Sequence, residues 1–299
     1  MHRSIPIGKV KNLDGFSSLC IDLPTADSYN ALRLLYIVCY IKTLMHPVAL
    51  LHQKESPMNR SLETKPVAHA LVWIALYIII VNIGDAMGGI PNLSTSLLLT
   101  VLSVVLFFYS KTRIPMGFDI FSKSEAKKVL YYLPLGALVV IAYLGGVDPS
   151  LSFRDILIAV LLMANVGYLE ELLFRGYLLE AIEQDKGRRR AVIISGITFG
   201  LGHIVNIFRG YEALELVAQI AGAIAIGLVL ALLVVKTRNL IPGILFHILF
   251  NIGGTITVQH SSREALLLLC IIGISVLYLL FLLKHLPTSQ SSGYTTRLV

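Results

Sequence analysis

The apolar positions of this chain fall in long continuous runs rather than in alternation. Eight runs, at about 66–85, 92–110, 125–146, 154–182, 189–208, 213–237, 241–257 and 264–284, are long enough, or nearly so, to cross a hydrocarbon core of about 30 Å. Strands of a membrane barrel would read as segments of about ten residues with alternating hydrophobicity, and these runs do not. A continuous apolar run in lipid satisfies its own backbone only as a helix. The pattern predicts an all-α membrane protein, a polytopic bundle of about eight transmembrane helices.

Lysine and arginine gather in alternate connections. Lys111, Arg113, Lys123, Lys127 and Lys128 follow the second run, Lys186 and Arg188 to Arg190 the fourth, Lys236 and Arg238 the sixth, and Lys284 the last; the intervening loops hold only Arg154, Arg209 and Arg263. The positive-inside rule makes the basic side cytoplasmic, and eight crossings then put both termini inside a multi-pass protein of the plasma membrane. Residues 1–65 fit this pattern less well. The stretch 31–51 is apolar but interrupted by Arg33, Lys42, His46 and Pro47, and a crossing there would move Arg3, Lys9 and Lys11 outside. It reads as an interfacial N-terminal extension, with Met58 a candidate start before a short cytoplasmic leader. Nothing in it resembles a cleavable signal peptide. Residues 66–284 read as one domain, and 285–299 as a polar, disordered cytoplasmic tail.

Composition agrees with the membrane reading: 56% of residues are hydrophobic and 14% charged, against roughly 25% charged in a soluble domain. Cys20, Cys39 and Cys270 show no spacing for a disulfide framework or a metal knuckle. The net charge of +7 lies at the ends of apolar runs, so topology accounts for it and no nucleic-acid partner is implied. The surrounding partner is membrane lipid.

Against this background the stretch YLEELLFRGYLLE, residues 168–180, stands out. A charge at the centre of a membrane helix costs about 2.5–3.5 kcal/mol on insertion scales, and Glu170, Glu171 and Arg175 lie close together on the fourth run. Glu171 and Arg175 are four apart, so an intrahelical ion pair compensates both. Glu170 is turned about 100° away and lacks that helical partner. The fifth run carries Phe199 and His203 on one face, and the seventh carries His247 and Asn251. Each histidine alone reads as a packing residue. Because intramembrane ionisable groups turn toward the bundle interior, Glu170, His203, His247 and Asn251 are expected to converge on one polar pocket. A carboxylate with an imidazole polarises water for attack on a carbonyl, and a second imidazole and a carboxamide donate to the oxyanion. The same Glu170, His203 and His247 also make a His₂Glu set suited to catalytic zinc. The residues leave both mechanisms open, although no HExxH helix is present.

EELLFR (170–175), FGLGH (199–203) and HILFN (247–251) resemble the EExxxR, FxxxH and HxxxN motifs of the CPBP family, which comprises CAAX prenyl proteases and bacteriocin-processing or bacteriocin-immunity enzymes. The motifs occur in the family's order, on the fourth, fifth and seventh of eight runs, and the resemblance spans about 66–284. It implies an intramembrane endopeptidase acting on a peptide or lipidated protein substrate. Carried over by position, it implies Glu170 as the base that activates water, assisted by His203, with Glu171 and Arg175 as a supporting pair. His247 and Asn251 are implied as oxyanion donors, His247 alternatively as a metal ligand. The cofactor is then either Zn²⁺, on Glu170, His203 and His247, or none. Two other functions use the same residues: a non-catalytic membrane scaffold or immunity factor, and an ion-coupled transporter. The chain shows no symmetric halves of the kind transporters carry.

Overall fold

The computed structural model describes residues 66–110, 128, 130–210, 212–258 and 261–285. The expectations for residues 1–65, for the basic loop at Lys111, Arg113, Lys123 and Lys127, and for the tail beyond 285 lie outside the described residues. Within them the fold is all-α, in eight helices: α1 Pro66–Ala86, α2 Leu93–Ser110, α3 Leu133–Tyr143, α4 Phe153–Lys186, α5 Arg188–Gly202, α6 Ala213–Thr237, α7 Ile241–Ile256 and α8 Ser261–Lys284. Five of the helical stretches are long and apolar enough to cross a membrane, namely α1, α2, α4, α6 and α5 with its extension to Ile207. Shorter apolar helices cover Leu130–Tyr143, Ile241–Ile256 and Leu268–Lys284.

Three elements depart from the expected runs. Of the third, expected over 125–146, residues 125–127 and 129 lie outside the described residues; within them one 3₁₀ turn, Leu130–Tyr132, leads into α3, which has Pro134 in its first turn and ends at Tyr143. The fourth run extends further, from a capping box in which Ser152 and Asp155 bond each other's backbone N–H, to Gly187 at φ 81°. Its centre is not α-helical: Leu172–Leu179 form a π-helix with all eight residues buried. Wide turns of this kind occur frequently at functional sites. The fifth run changes at His203 from α to a 3₁₀ segment, His203–Arg209, closed by Gly210 at φ 84°.

Small residues set how closely the site-bearing helices approach. A Cβ on Gly167 of α4 would stand 2.8 Å from Ile248 Cγ1 and 2.9 Å from its backbone N, so α4 crosses α7 backbone to backbone beside His247. A Cβ on Gly200 of α5 would meet Ile224 Cγ1 at 2.3 Å and its backbone N at 2.7 Å, which brings α5 onto α6. Small residues at helix crossings are how membrane bundles gain contact without a hydrophobic drive between helices. Hydrogen bonds add to this between α2 and α4: Ser103 donates to Asn165 Oδ1 at 2.7 Å, and Asn165 Nδ2 donates to Thr100 at 3.0 Å.

Each end of the bundle is tied. At one end, Asp148 N donates to Ile256 O and Val258 N to Gly146 O, fastening the α3–α4 connection to the end of α7. At the other, Arg238 reaches Glu183 at 2.7 Å and Glu180 at 3.3 Å, while Arg188 reaches Glu183 at 3.1 Å. Such exposed pairs each contribute little; together they register α4, α5 and the α6–α7 turn. Cys270 is a free, partly buried thiol.

Candidate active site

The site is built where α4, α5 and α7 meet. Glu171 and Arg175 are both fully buried, and Arg175 Nη1 donates to Glu171 Oε1 at 2.8 Å. The ion pair expected from their spacing is present. Arg175 Nη2 also donates to the Gly227 carbonyl of α6 at 3.3 Å, and the guanidinium lies 4.2 Å from the centre of the Phe199 ring. A buried cation is thus held by a carboxylate, a carbonyl and an aromatic face. Among the described residues Glu171 Oε2 has no hydrogen-bond partner, and it lies against Gly243, where a Cβ would stand 3.2 Å from it.

Glu170 lacks a helical partner, as expected, but tertiary contacts supply two. The Tyr77 hydroxyl of α1 donates to Glu170 Oε1 at 2.8 Å, and His247 Nε2 lies 3.3 Å from Glu170 Oε2. The other nitrogen of the same ring, His247 Nδ1, is 3.0 Å from Glu171 Oε1. The imidazole of α7 is therefore inserted between two consecutive glutamates of α4. A neutral imidazole donates from one nitrogen only, so both contacts are hydrogen bonds only when this trio carries one further proton.

Phe199 explains why an aromatic stands one turn before His203. Its ring lies edge-on to His203 at 5.3 Å and to His247 at 5.5 Å, and next to Phe174 at 5.4 Å, while its face takes Arg175. One rigid ring spaces the two histidines and the arginine. His203 Nδ1 is 3.3 Å from the Phe199 carbonyl. A carbonyl only accepts, so Nδ1 carries a proton and Nε2 of a neutral ring presents a lone pair. His203 is also near enough to Glu170 and His247 to interact electrostatically with both. Ser195 of α5 donates to the Phe174 carbonyl at 2.8 Å, which anchors the π-helix to the same helix.

The structure brings Glu170, Glu171, Arg175, His203 and His247 together. Asn251 lies one turn beyond His247, partly exposed, and among the described residues no contact joins its carboxamide to Glu170 or His203. Tyr77 is the polar contact that the sequence does not reveal, because a tyrosine in an apolar helix carries no motif. As a zinc site, Glu170, His203 and His247 do not fit in this arrangement: among the described residues no group of three His, Cys, Asp or Glu side chains is placed to hold a metal. His247 presents one nitrogen to each glutamate.

A polytopic helical bundle that gathers two carboxylates, a guanidinium and two imidazoles at one crossing point, with Glu171, Arg175 and His247 buried and Glu170 and His203 partly so, is a membrane protein with ionisable chemistry in its interior. Residues 152–253 match the family described as type II CAAX prenyl endopeptidase Rce1-like. All three motifs lie inside that segment, so the match supports the CPBP and CAAX protease assignment that they implied, and with it a CAAX-type intramembrane endopeptidase, a hydrolase of peptide bonds. No curated protein matches the chain.

Proposed function

We propose that the protein hydrolyses a peptide bond of a membrane-associated substrate, a prenylated CAAX-type tail or a leader-type peptide, with water activated by Glu170 and His203. The observation that carries this reading is the Glu170 carboxylate, partly buried among Tyr77, His247 and His203 yet keeping lone pairs for a water on each oxygen. Glu170 takes a proton as the water oxygen bonds to the carbonyl carbon, and Nε2 of His203 orients that water. His247 Nε2–H and the Asn251 carboxamide stabilise the oxyanion. When the C–N bond breaks, the proton held by Glu170 passes to the leaving nitrogen, which yields an acid and an amine. Glu171 and Arg175 hold the α4 backbone and the His247 ring in register.

The deciding experiment is cleavage of candidate peptides by the purified protein, with and without a chelator. Cleavage lost in His203→Ala and reduced about 10²–10³-fold in Asn251→Ala is the expected result, since one oxyanion donor contributes on that order. Parental turnover in His203→Ala would refute the proposed water activation. Loss of activity in chelator, restored by added Zn²⁺, would replace the metal-free scheme.

We further propose that the ends bearing Lys186 and Arg238 face the cytoplasm and that those bearing Asp148 and Arg209 face outward, on the alternation of basic residues. A cysteine placed at Arg189 should resist impermeant thiol reagents in intact cells, and one at Asp148 should react. Labelling at 189 from outside would invert the topology.

A further inference from the structure

Tyr77 stands outside all three motifs and outside the matched segment 152–253, yet its hydroxyl meets the central carboxylate from a residue 93 positions away. Between Trp73 and Asn82 the α1 sequence IALYIIIV holds no other polar side-chain group. The residue is 8% exposed. A phenol in such surroundings is disfavoured unless its O–H finds an acceptor, and the acceptor here is Glu170 Oε1 at 2.8 Å. A hydrogen bond to a carboxylate is among the strong ones and fixes the plane of the acceptor.

The same helix is fastened to the other half of the site. Two turns beyond Tyr77, Asp85 receives the Thr95 hydroxyl at 2.8 Å and two N–H groups of Arg209, at 3.0 and 2.7 Å. Arg209 ends the 3₁₀ segment that begins at His203. One face of α1 thus touches Glu170 through Tyr77 and the His203 segment through Asp85, and both Asp85 and Arg209 lie within electrostatic reach of the Tyr77 hydroxyl.

We propose that Tyr77 is a positioning residue for the reaction: its hydroxyl fixes the Glu170 carboxylate so that the remaining lone pairs point at the attacking water. The inference rests on the reading of Glu170 as the base. Without the hydroxyl, His247 alone orients the carboxylate, and Glu170 samples rotamers in which the water is misplaced. A misplacement of about 1 Å at a reacting group costs on the order of 10²-fold in rate, while substrate contacts elsewhere are untouched.

The test uses the full chain in detergent, a peptide that the parent cuts, and four proteins besides the parent: Tyr77→Phe, Tyr109→Phe, Glu170→Gln, and Tyr77→Phe combined with Glu170→Gln. Tyr109 also hydrogen-bonds α1, at His69 and at 2.9 Å, and so controls for loss of a tyrosine hydroxyl on that helix. Tyr77→Phe is expected to lower kcat about 10- to 100-fold with KM within about twofold of the parent, the signature of an interaction that matters in the transition state. Melting should be unchanged, Tyr109→Phe should keep parental kcat, and the double variant should be no slower than Glu170→Gln. A parental kcat in Tyr77→Phe, a loss confined to KM, or an equal loss in Tyr109→Phe would overturn the assignment. If Glu170→Gln is inactive while Tyr77→Phe is parental, only the role of Tyr77 fails; if Glu170→Gln itself cleaves at the parental rate, the reading of the base fails.

Discussion

Glu170→Gln is expected to abolish cleavage while leaving melting temperature and detergent monodispersity as they are, or slightly improved. The amide keeps the shape of the side chain. Its oxygen still accepts from Tyr77, which now donates to Glu170 at 2.8 Å. What it loses is basicity, and general-base catalysis contributes about 10²–10⁴-fold. Removing a partly buried charge from the bundle interior also relieves desolvation, which is why stability is not expected to fall. Rate and melting must be measured on the same preparation, because an inactive unfolded protein would look alike in the cleavage assay alone. Parental cleavage by this variant would leave the cluster as structural.

Arg175→Ala is expected to be the most destabilising of the substitutions considered, at about 3–5 kcal/mol, the range for breaking a buried pair from one side. Three groups lose a contact at once: Glu171 Oε1, the Gly227 carbonyl and the face of Phe199. Among the described residues Glu171 would keep the hydrogen bond with His247, and its other oxygen is already without one. Combining Arg175→Met with Glu171→Gln should cost less than Arg175→Ala alone, since it removes both charges and keeps the volume. Chemical or thermal denaturation of the purified proteins tests this ordering. An Arg175→Ala protein with parental stability would mean that the pair is hydrated.

The Glu171–Arg175 pair shows how far local sequence reaches. A spacing of four on one helix was enough to join the two side chains, and the join survives although the helix is π-wound from Leu172 onward. The position of His247 was not legible in the same way. The sequence placed it on the correct helix and assigned it a part in the pocket, but nothing in HILFN says that its ring enters between Glu170 and Glu171. That placement depends on the distance between α4 and α7, which Gly167 against Ile248 controls. For Asn251, spacing put the carboxamide on the His247 face, yet contact with Glu170 requires a convergence of helices that spacing does not encode.

What the sequence determined by itself is the set of properties carried by neighbours along the chain. Continuous apolar runs made helices because lipid offers the backbone no other partner, the bounds of α1, α2 and α6 followed within a residue or two, and motif order pointed to the family whose model matches residues 152–253. The tertiary structure alone decided where the chain departs from regular helix and which distant groups meet. The 3₁₀ turn before α3, the π-helix and the 3₁₀ segment at His203 each interrupt a uniform period. Tyr77 meets Glu170 because α1 packs against the central stretch of α4. Hydropathy registers such a residue only as one more member of an apolar face, and a contact across 93 residues leaves no periodic trace in either partner's neighbourhood.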